Sequence, residues 1–438
     1  MSVFFWSVRG AHGCAFRAML RPLSLIKAIC AGAIRPHVPE STFRLSPLLA
    51  SLALVLGCGA AHAAQAPLAL QRGVNVQEWL NLASPAQADD LRRSPYLKEI
   101  KASGFDFIRL SVDPGALLES EGRGLNEAAA RLEEAVRLAV ASGLKVVLAL
   151  KSADRDTRVP AETPQVPVVS ASSDRSRMVV VTLAAMLARV DTDGTALEFT
   201  SEPDESRCDG ASVGEWETSV AGLVRAAHRA APDVTLILSG ACGGSAKGLI
   251  QLDPAAFGDG RLLYGFHFYE PVDFTHQGLG PAKDVKGAPW PADAVAKPLA
   301  LVFSKLLISR DETLSLADRD KRIKSVRHYL DGYLAGAWEE SRLKARFSEV
   351  RIWAERHQLP PNRLFLASFG VMPANQDRGG ALDADRFRWL SAVRREAEDL
   401  GAAWTYSELP GRDIFDDKHR RPDPAALRAL GLAPSALN

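Results

Sequence analysis

Glu202 is the acid best placed for catalysis, because in the stretch Ala196 to Pro203 it follows a short apolar run and precedes Pro203. If that run is a buried strand, Glu202 emerges at its C-terminal end, where barrel enzymes keep their chemistry. In any other setting it is a solvated loop acid. Arg109 lies inside a second apolar run, Phe105 to Leu110, so its guanidinium needs a bound anion or a barrel carboxylate to offset burial. His267 and Tyr269 are two residues apart and therefore project to one side of a strand. Sharing a cup with Glu202, they suit a polar pocket better than an apolar core. Trp79, Trp290 and Trp404 fall at strand ends or in a long excursion, where an indole either stacks on a sugar ring or fills the core.

The elements that must hold these residues are short apolar runs alternating with longer amphipathic stretches. The runs are Gly73 to Val76, Phe105 to Leu110, Lys145 to Leu150, the run before Glu202, Thr235 to Ser239, Leu262 to Tyr269, Leu364 to Phe369 and Ala403 to Tyr406. Between them, Tyr96 to Ala102, Ala128 to Ala141, Arg177 to Arg189, Trp216 to Ala231 and Ala384 to Leu400 carry helical spacing. Eight such repeats match an α/β fold of the (β/α)8 TIM-barrel class. A doubly wound open sheet is the alternative, and it lacks a Gly-rich phosphate turn after the first run. A long excursion from Glu270 to Pro361 follows the sixth strand, with helices predicted around Lys321 to Ala335 and Ser341 to His357. In a barrel, the residues at strand ends share one cup: Asn75, Glu78, Arg109, Asp113, Lys151, Glu202, Ser239, His267, Tyr269, Ser368, Tyr406, Ser407 and Glu408.

Arg44 precedes the apolar run Leu45 to Leu56, and Ala61, His62 and Ala63 follow as a small-x-small cleavage site, so residues 1–64 read as a leader with a secretory signal. The Arg and His content before Leu45 suggests an overlong gene start, with Met19 as another initiator. The run is too short for a membrane span, and a lipid anchor at Cys58 is a weaker alternative to soluble export. Residues 65–438 then form one barrel domain. Export leaves Cys208 and Cys242 in an oxidising compartment without a Cys-x-x-Cys or His cluster, which predicts a disulfide and no metal site. Lys plus Arg number 53 against 52 for Asp plus Glu, so no basic field points to nucleic acid. Neither a metal nor an organic cofactor is implied, and a monomer is expected.

With these residues in place, the chain resembles the cellulase-type glycoside hydrolases of family 5. Arg72 to Asn75 opens the likeness, Phe107 to Leu110 is similar to the second-strand arginine motif, and Ser201, Glu202 and Pro203 fall where the family has Asn-Glu-Pro. The most specific match is His267 to Pro271 followed by Phe274 to Gly278, and Leu366 to Val371 resembles the seventh-strand Gly-Glu-Phe-Gly. The resemblance runs from Arg72 to Asp416 and implies a (β/α)8 barrel acting on a β-linked polysaccharide or oligosaccharide. It assigns Glu202 as the general acid and base, and Arg109, Lys151, Ser201, His267, Tyr269, Ser407 and Glu408 to sugar binding. The family's retaining mechanism needs two carboxyl groups about 5 Å apart. Here Ser368 stands at the nucleophile position, Ser201 replaces Asn, Lys151 replaces His and Ser407 replaces Trp. Three readings follow: a barrel that binds or scaffolds a polysaccharide without cutting it, a glycosidase with a relocated carboxylate such as Glu408 or Glu270, or a transferase or lyase using Lys151.

Overall fold

The computed structural model describes residues 66–76, 96–112, 117, 122–150, 174–199, 208–258, 260–407 and 423–432. The chain divides into two units, Met1–Ala61 and His62–Asn438, and all described residues belong to the second. Its strands are β1 (Arg72–Val76), β2 (Phe107–Val112), β3 (Lys145–Leu150), β4 (Thr195–Glu198), β5 (Thr235–Ser239), β6 (Leu262–His267), β7 (Leu364–Phe369) and β8 (Ala403–Tyr406). Each pairs with the next, and β8 returns in parallel to β1, with Arg72 beside Trp404, so the sheet closes into a barrel. Strands buried on both faces read as continuous apolar runs, which is why they were visible in the sequence.

Helices α1 (Tyr96–Ala102), α2 (Arg123–Ala141), α3 (Asp174–Val190) and α4 (Gly210–Ala230) follow the first four strands in turn. Asp209 starts α4 by accepting from the Ser212 backbone N–H at 2.9 Å. The excursion after β6 carries α5 (Lys297–Ser309), α6 (Leu316–Ala335) and α7 (Glu340–Arg356), while α8 (Asp383–Leu400) follows β7 and α9 (Pro424–Ala429) comes last. The helix α5 was not expected. It begins in a proline-rich stretch, but Pro298 sits in its first turn, where the missing N–H is no loss. The packing helices are α7 and α8: Phe347 meets Phe266 and Phe268, Trp353 meets Tyr264, and Trp389 stacks on Phe268.

Inside the barrel two layers lie one pleat apart. The lower layer is apolar: Phe107, Val147, Ala196, Ile237, Leu263, Phe365 and Ala367 form their own cluster, sealed from below by Leu68. Leu68 is fixed there because its N–H donates to Thr235 Oγ1 at 2.7 Å and Lys145 Nζ donates to the Ala69 carbonyl at 2.5 Å. Gly73 makes room for the Phe107 ring, since a Cβ there would stand 2.3 Å from it. Two residues further along the strands the lining turns polar, with Asn75, Arg109, Glu198, Ser239 and Thr405 all buried. Below the barrel wall, the half-buried His228 of α4 lies against Gly260, and burial holds its imidazole below the ordinary range.

The excursion is clamped to the loop after β7. Met372 N–H donates to the Thr275 carbonyl, Gly380 N–H to Val285, and Gly287 N–H to Gly380. Gly278 has φ 90°, and a Cβ on it would meet the Gly379 carbonyl at 2.3 Å, so the two segments touch backbone to backbone. Buried Gln277 adds a link within the excursion, donating to the Phe274 and Ala288 carbonyls while its Oε1 accepts from Ala288 N–H.

Candidate active site

The polar layer is organised by a charge inside a strand. Glu198, the last residue of β4, is fully buried and accepts from Arg109 Nε at 2.6 Å and from Nη2 at 2.8 Å. Such a two-pronged pair satisfies a buried guanidinium in the geometry a carboxylate favours. Arg109 Nη1 then donates to Asn75 Oδ1 at 2.8 Å, and Asn75 Nδ2 donates to Ser368 Oγ at 3.3 Å. Ser368 Oγ lies 2.5 Å from Tyr269 Oη. Four strands and the segment after β6 therefore converge on one continuous chain of side chains, ending at a partly exposed tyrosine.

Tyr269 is held from behind. Thr275 Oγ1 donates to its carbonyl at 2.7 Å and also contacts His276 Nδ1 at 2.9 Å, while the His276 ring stands edge-on to the phenol at 5.2 Å. The expectation that His267 and Tyr269 share one side of a strand is corrected in its cause. Strand β6 ends at His267, where the register with β7 shifts, and Tyr269 lies beyond it. Phe268 N–H donating to the Ser368 carbonyl carries the chain onward, so Tyr269 reaches Ser368 through the segment that follows. His267 itself is buried, opposite Ser368.

Arg109, assigned above to sugar binding, is buried and committed to Glu198 and Asn75, so it positions the site from below. Glu198 was missed; its signal was an acid inside an apolar run at the same depth as an arginine that needed one. Glu270, weighed as a substitute carboxylate, is bound at 2.9 Å by Arg346 of the outer helix α7. Trp290 and Trp404 are core residues rather than sugar platforms: Trp290 packs on Phe274, and Trp404 meets Phe105 and Phe369 edge-on. Ser407 is buried, its N–H donating to the Phe369 carbonyl at 2.8 Å, and Gly370 leaves no space for a Cβ beside it. Cys208 and Cys242 are joined, with Cα atoms 4.8 Å apart, tying the start of α4 to the turn after β5. Lys151, Ser201, Glu202, Glu408, Glu78, Trp79, Asp113 and the leader lie outside the described residues.

Chemically, this half of the cup offers hydroxyl and amide donors. Among the described residues, the carboxylate of the bonded chain is Glu198, and both its oxygens are engaged by Arg109. Ser368 bonds to an amide and a phenol, neither a general base, and an unactivated serine is a weak nucleophile. Among the described residues no helix is long and apolar enough to cross a membrane.

A family model described as Cellulase (glycosyl hydrolase family 5) matches residues 69–408. Cellodextrinase A of Ruminococcus flavefaciens is 27% identical over 219 residues, covering 49% of this chain and 62% of that protein, so the match spans less than two thirds of the relative. Among solved structures, the cellulose synthase subunit Z of Clostridioides difficile aligns with TM-score 0.55 at 20% identity, covering 82% of this chain and 99% of that one. A hyperthermophilic endo-β-1,4-glucanase, solved with substrate, aligns with TM-score 0.55 at 19% identity over 83% and 97%. At these identities the two structures speak to the fold.

Proposed function

This chain belongs to glycosyl hydrolase family 5, the cellulase family, and on that premise we propose that its polar cup binds a β-linked polysaccharide of the glucan type. Glu202 serves as the general acid and base, while His267 and Tyr269 contact the sugar and Lys151, Ser201, Ser407 and Glu408 complete the cup. Hydrolysis of O-glycosyl bonds is the ancestral reaction, and it is impaired here. The observation that carries this reading is Ser368. It occupies the nucleophile position of the resemblance, yet it is bonded to Asn75 and Tyr269 and has no carboxylate to offer. A retaining mechanism without a carboxylate at the nucleophile position cannot form its glycosyl-enzyme intermediate there. The protein is exported, its leader removed, and acts as a monomer.

The same observation favours a second reading, a non-catalytic binding or scaffold protein in the synthesis or export of a polysaccharide. Hydrolysis of β-glucans and β-mannans by the mature chain separates the two, alongside Glu202→Gln and Ser368→Glu and with affinity electrophoresis on the same glycans. Binding with little or no turnover, and turnover gained in Ser368→Glu, is the expected result. Fast wild-type turnover lost in Glu202→Gln would establish a relocated partner carboxylate instead.

A further inference from the structure

Helix α5 carries apolar side chains on two sides. Its inward stripe is Ala300, Ser304 and Ile308, all buried, with Ser304 Oγ accepting from the Lys286 N–H at 3.0 Å. A second stripe is left outside: Leu299, Val302 and Leu306, at helical spacing, are 54, 50 and 55% exposed, and Val295, one turn earlier, is 84% exposed. The neighbouring helices have no such stripe. Exposed positions of α6 include Asp320, Lys321, Lys324 and Arg327, and those of α7 include Lys344, Glu349, Arg351 and Glu355. A helix that is apolar all round belongs in an interior, and α5 has an interior on one side only.

The outer stripe is framed by cations. From Ala294 to Arg310 the chain has Lys297, Lys305 and Arg310 and no acid. Lys297 is bound to Asp331 of α6, whereas Lys305 is exposed and Arg310 is bonded to a neutral group, the Gln376 carbonyl. At about 100° per residue, Lys305 and Arg310 fall on opposite flanks of the line through Leu299, Val302 and Leu306. The acids that bracket the span are engaged locally: Asp293 accepts from the Val295 N–H at 2.8 Å, and Asp311 accepts from the Thr313 N–H at 3.2 Å. Size decides what can cover such a face. The 13 residues of α5 make a helix about 20 Å long and about 10 Å across, so its outer face is about 200 Å². A stable protein interface takes about 800 Å² from each partner, and a second copy would set these cations against a helix with no acid to answer them. A bilayer asks for less, since a short apolar stripe at the acyl boundary and cations among the headgroups are two weak signals that add. We infer that α5 docks the protein on an anionic phospholipid bilayer, lying in the interface and too short to span it. The inference is independent of the glycan-binding reading above. It gives the excursion after β6 a task that the barrel itself does not need.

The test is co-sedimentation of the mature chain, free of its apolar leader, with vesicles of phosphatidylglycerol and phosphatidylcholine in equal parts or of phosphatidylcholine alone. Wild-type protein is expected to pellet with the anionic vesicles and to be released as salt is raised. Leu299→Ser combined with Leu306→Ser should weaken the binding about tenfold, and Lys305→Gln about fivefold. All three positions are exposed, so melting temperatures should stay near the wild type. Val302→Cys carrying a polarity-sensitive dye gives a second readout, its emission moving to the blue when anionic vesicles are added and not before. Wild-type protein that stays in solution with both vesicles, or pellets equally with phosphatidylcholine alone, would overturn the inference. So would stripe variants that pellet as the wild type does. A dimer in sedimentation velocity that is lost in the Leu299→Ser, Leu306→Ser variant, or a dye already blue-shifted in buffer, would overturn it by giving the stripe a protein cover instead.

Discussion

Two adjacent layers of one barrel differ in how they are held. The side chains of the lower layer, around Phe107, Ile237 and Phe365, meet by apolar contact, with the Phe107 and Phe365 rings 6.0 Å apart and Leu68 beneath them. The upper, one pleat away, is fastened by bonds with fixed partners: Glu198 to Arg109, Arg109 to Asn75, Asn75 to Ser368. Apolar packing tolerates exchange if volume is kept, whereas a buried charge tolerates nothing that leaves its partner alone. The barrel thus separates a replaceable floor from a specified ceiling. In the proposed function, the ceiling is the layer that faces the sugar.

The sharpest way to break the contrast is Glu198→Ala, which strands the Arg109 cation in the interior. A loss of about 3–5 kcal/mol in urea unfolding is expected. The paired change Arg109→Met with Glu198→Leu should return within about 2 kcal/mol of the wild type while failing to restore β-glucan binding. A double variant that bound glucan as the wild type does would show that the ion pair positions nothing. In the floor, Phe107→Ala should cost about 3 kcal/mol through the cavity it leaves, whereas Phe107→Leu should cost much less and leave glycan affinity intact. Asn75→Ala, which keeps the ion pair and cuts the link to Ser368, is expected to lose about 1–2 kcal/mol but a disproportionate share of binding, read by isothermal titration with a cello-oligosaccharide.

The smallest effect concerns neither layer and serves as a baseline. His228 titrates below the ordinary imidazole range because burial disfavours its cation. The folded chain therefore binds fewer protons than the unfolded one between its lowered value and about 6.5. Its contribution is complete above pH 6.5 and is withdrawn as pH falls beneath it. The slope is shallower than the one-proton limit of about 1.4 kcal/mol per pH unit, since the ring is partly wet. Thermal unfolding from pH 8 to pH 5 should show the decline, and His228→Gln should flatten it.

The strands were legible because a parallel barrel buries both faces of each one, and Lys145 to Leu150 or Leu364 to Phe369 can hardly be read otherwise. Register was not legible. Nothing local in Ala196 to Thr200 says that Glu198 pairs with Arg109; that choice is made by the register of β2 and β4 on either side of β3. Tyr269 shows the limit differently, since its approach to Ser368 depends on where β6 stops and on Thr275 six residues later. The helix α5 was hidden because proline reads as punctuation unless its position in the first turn is known.

The pairing of Arg72 with Trp404 has a consequence for how such a chain comes to exist at all. Its first and last strands are neighbours, so a ribosome still making β7 has delivered a sheet with two open edges and no seam. Until Ala403 to Tyr406 arrives, β1 is paired on its β2 side alone and its other edge lies open. The seam that closes the barrel is thus among the contacts most distant along the chain, the kind that slows folding. A truncation that spares β1 to β7 but removes β8 would yield not a weaker protein but an unfinished one.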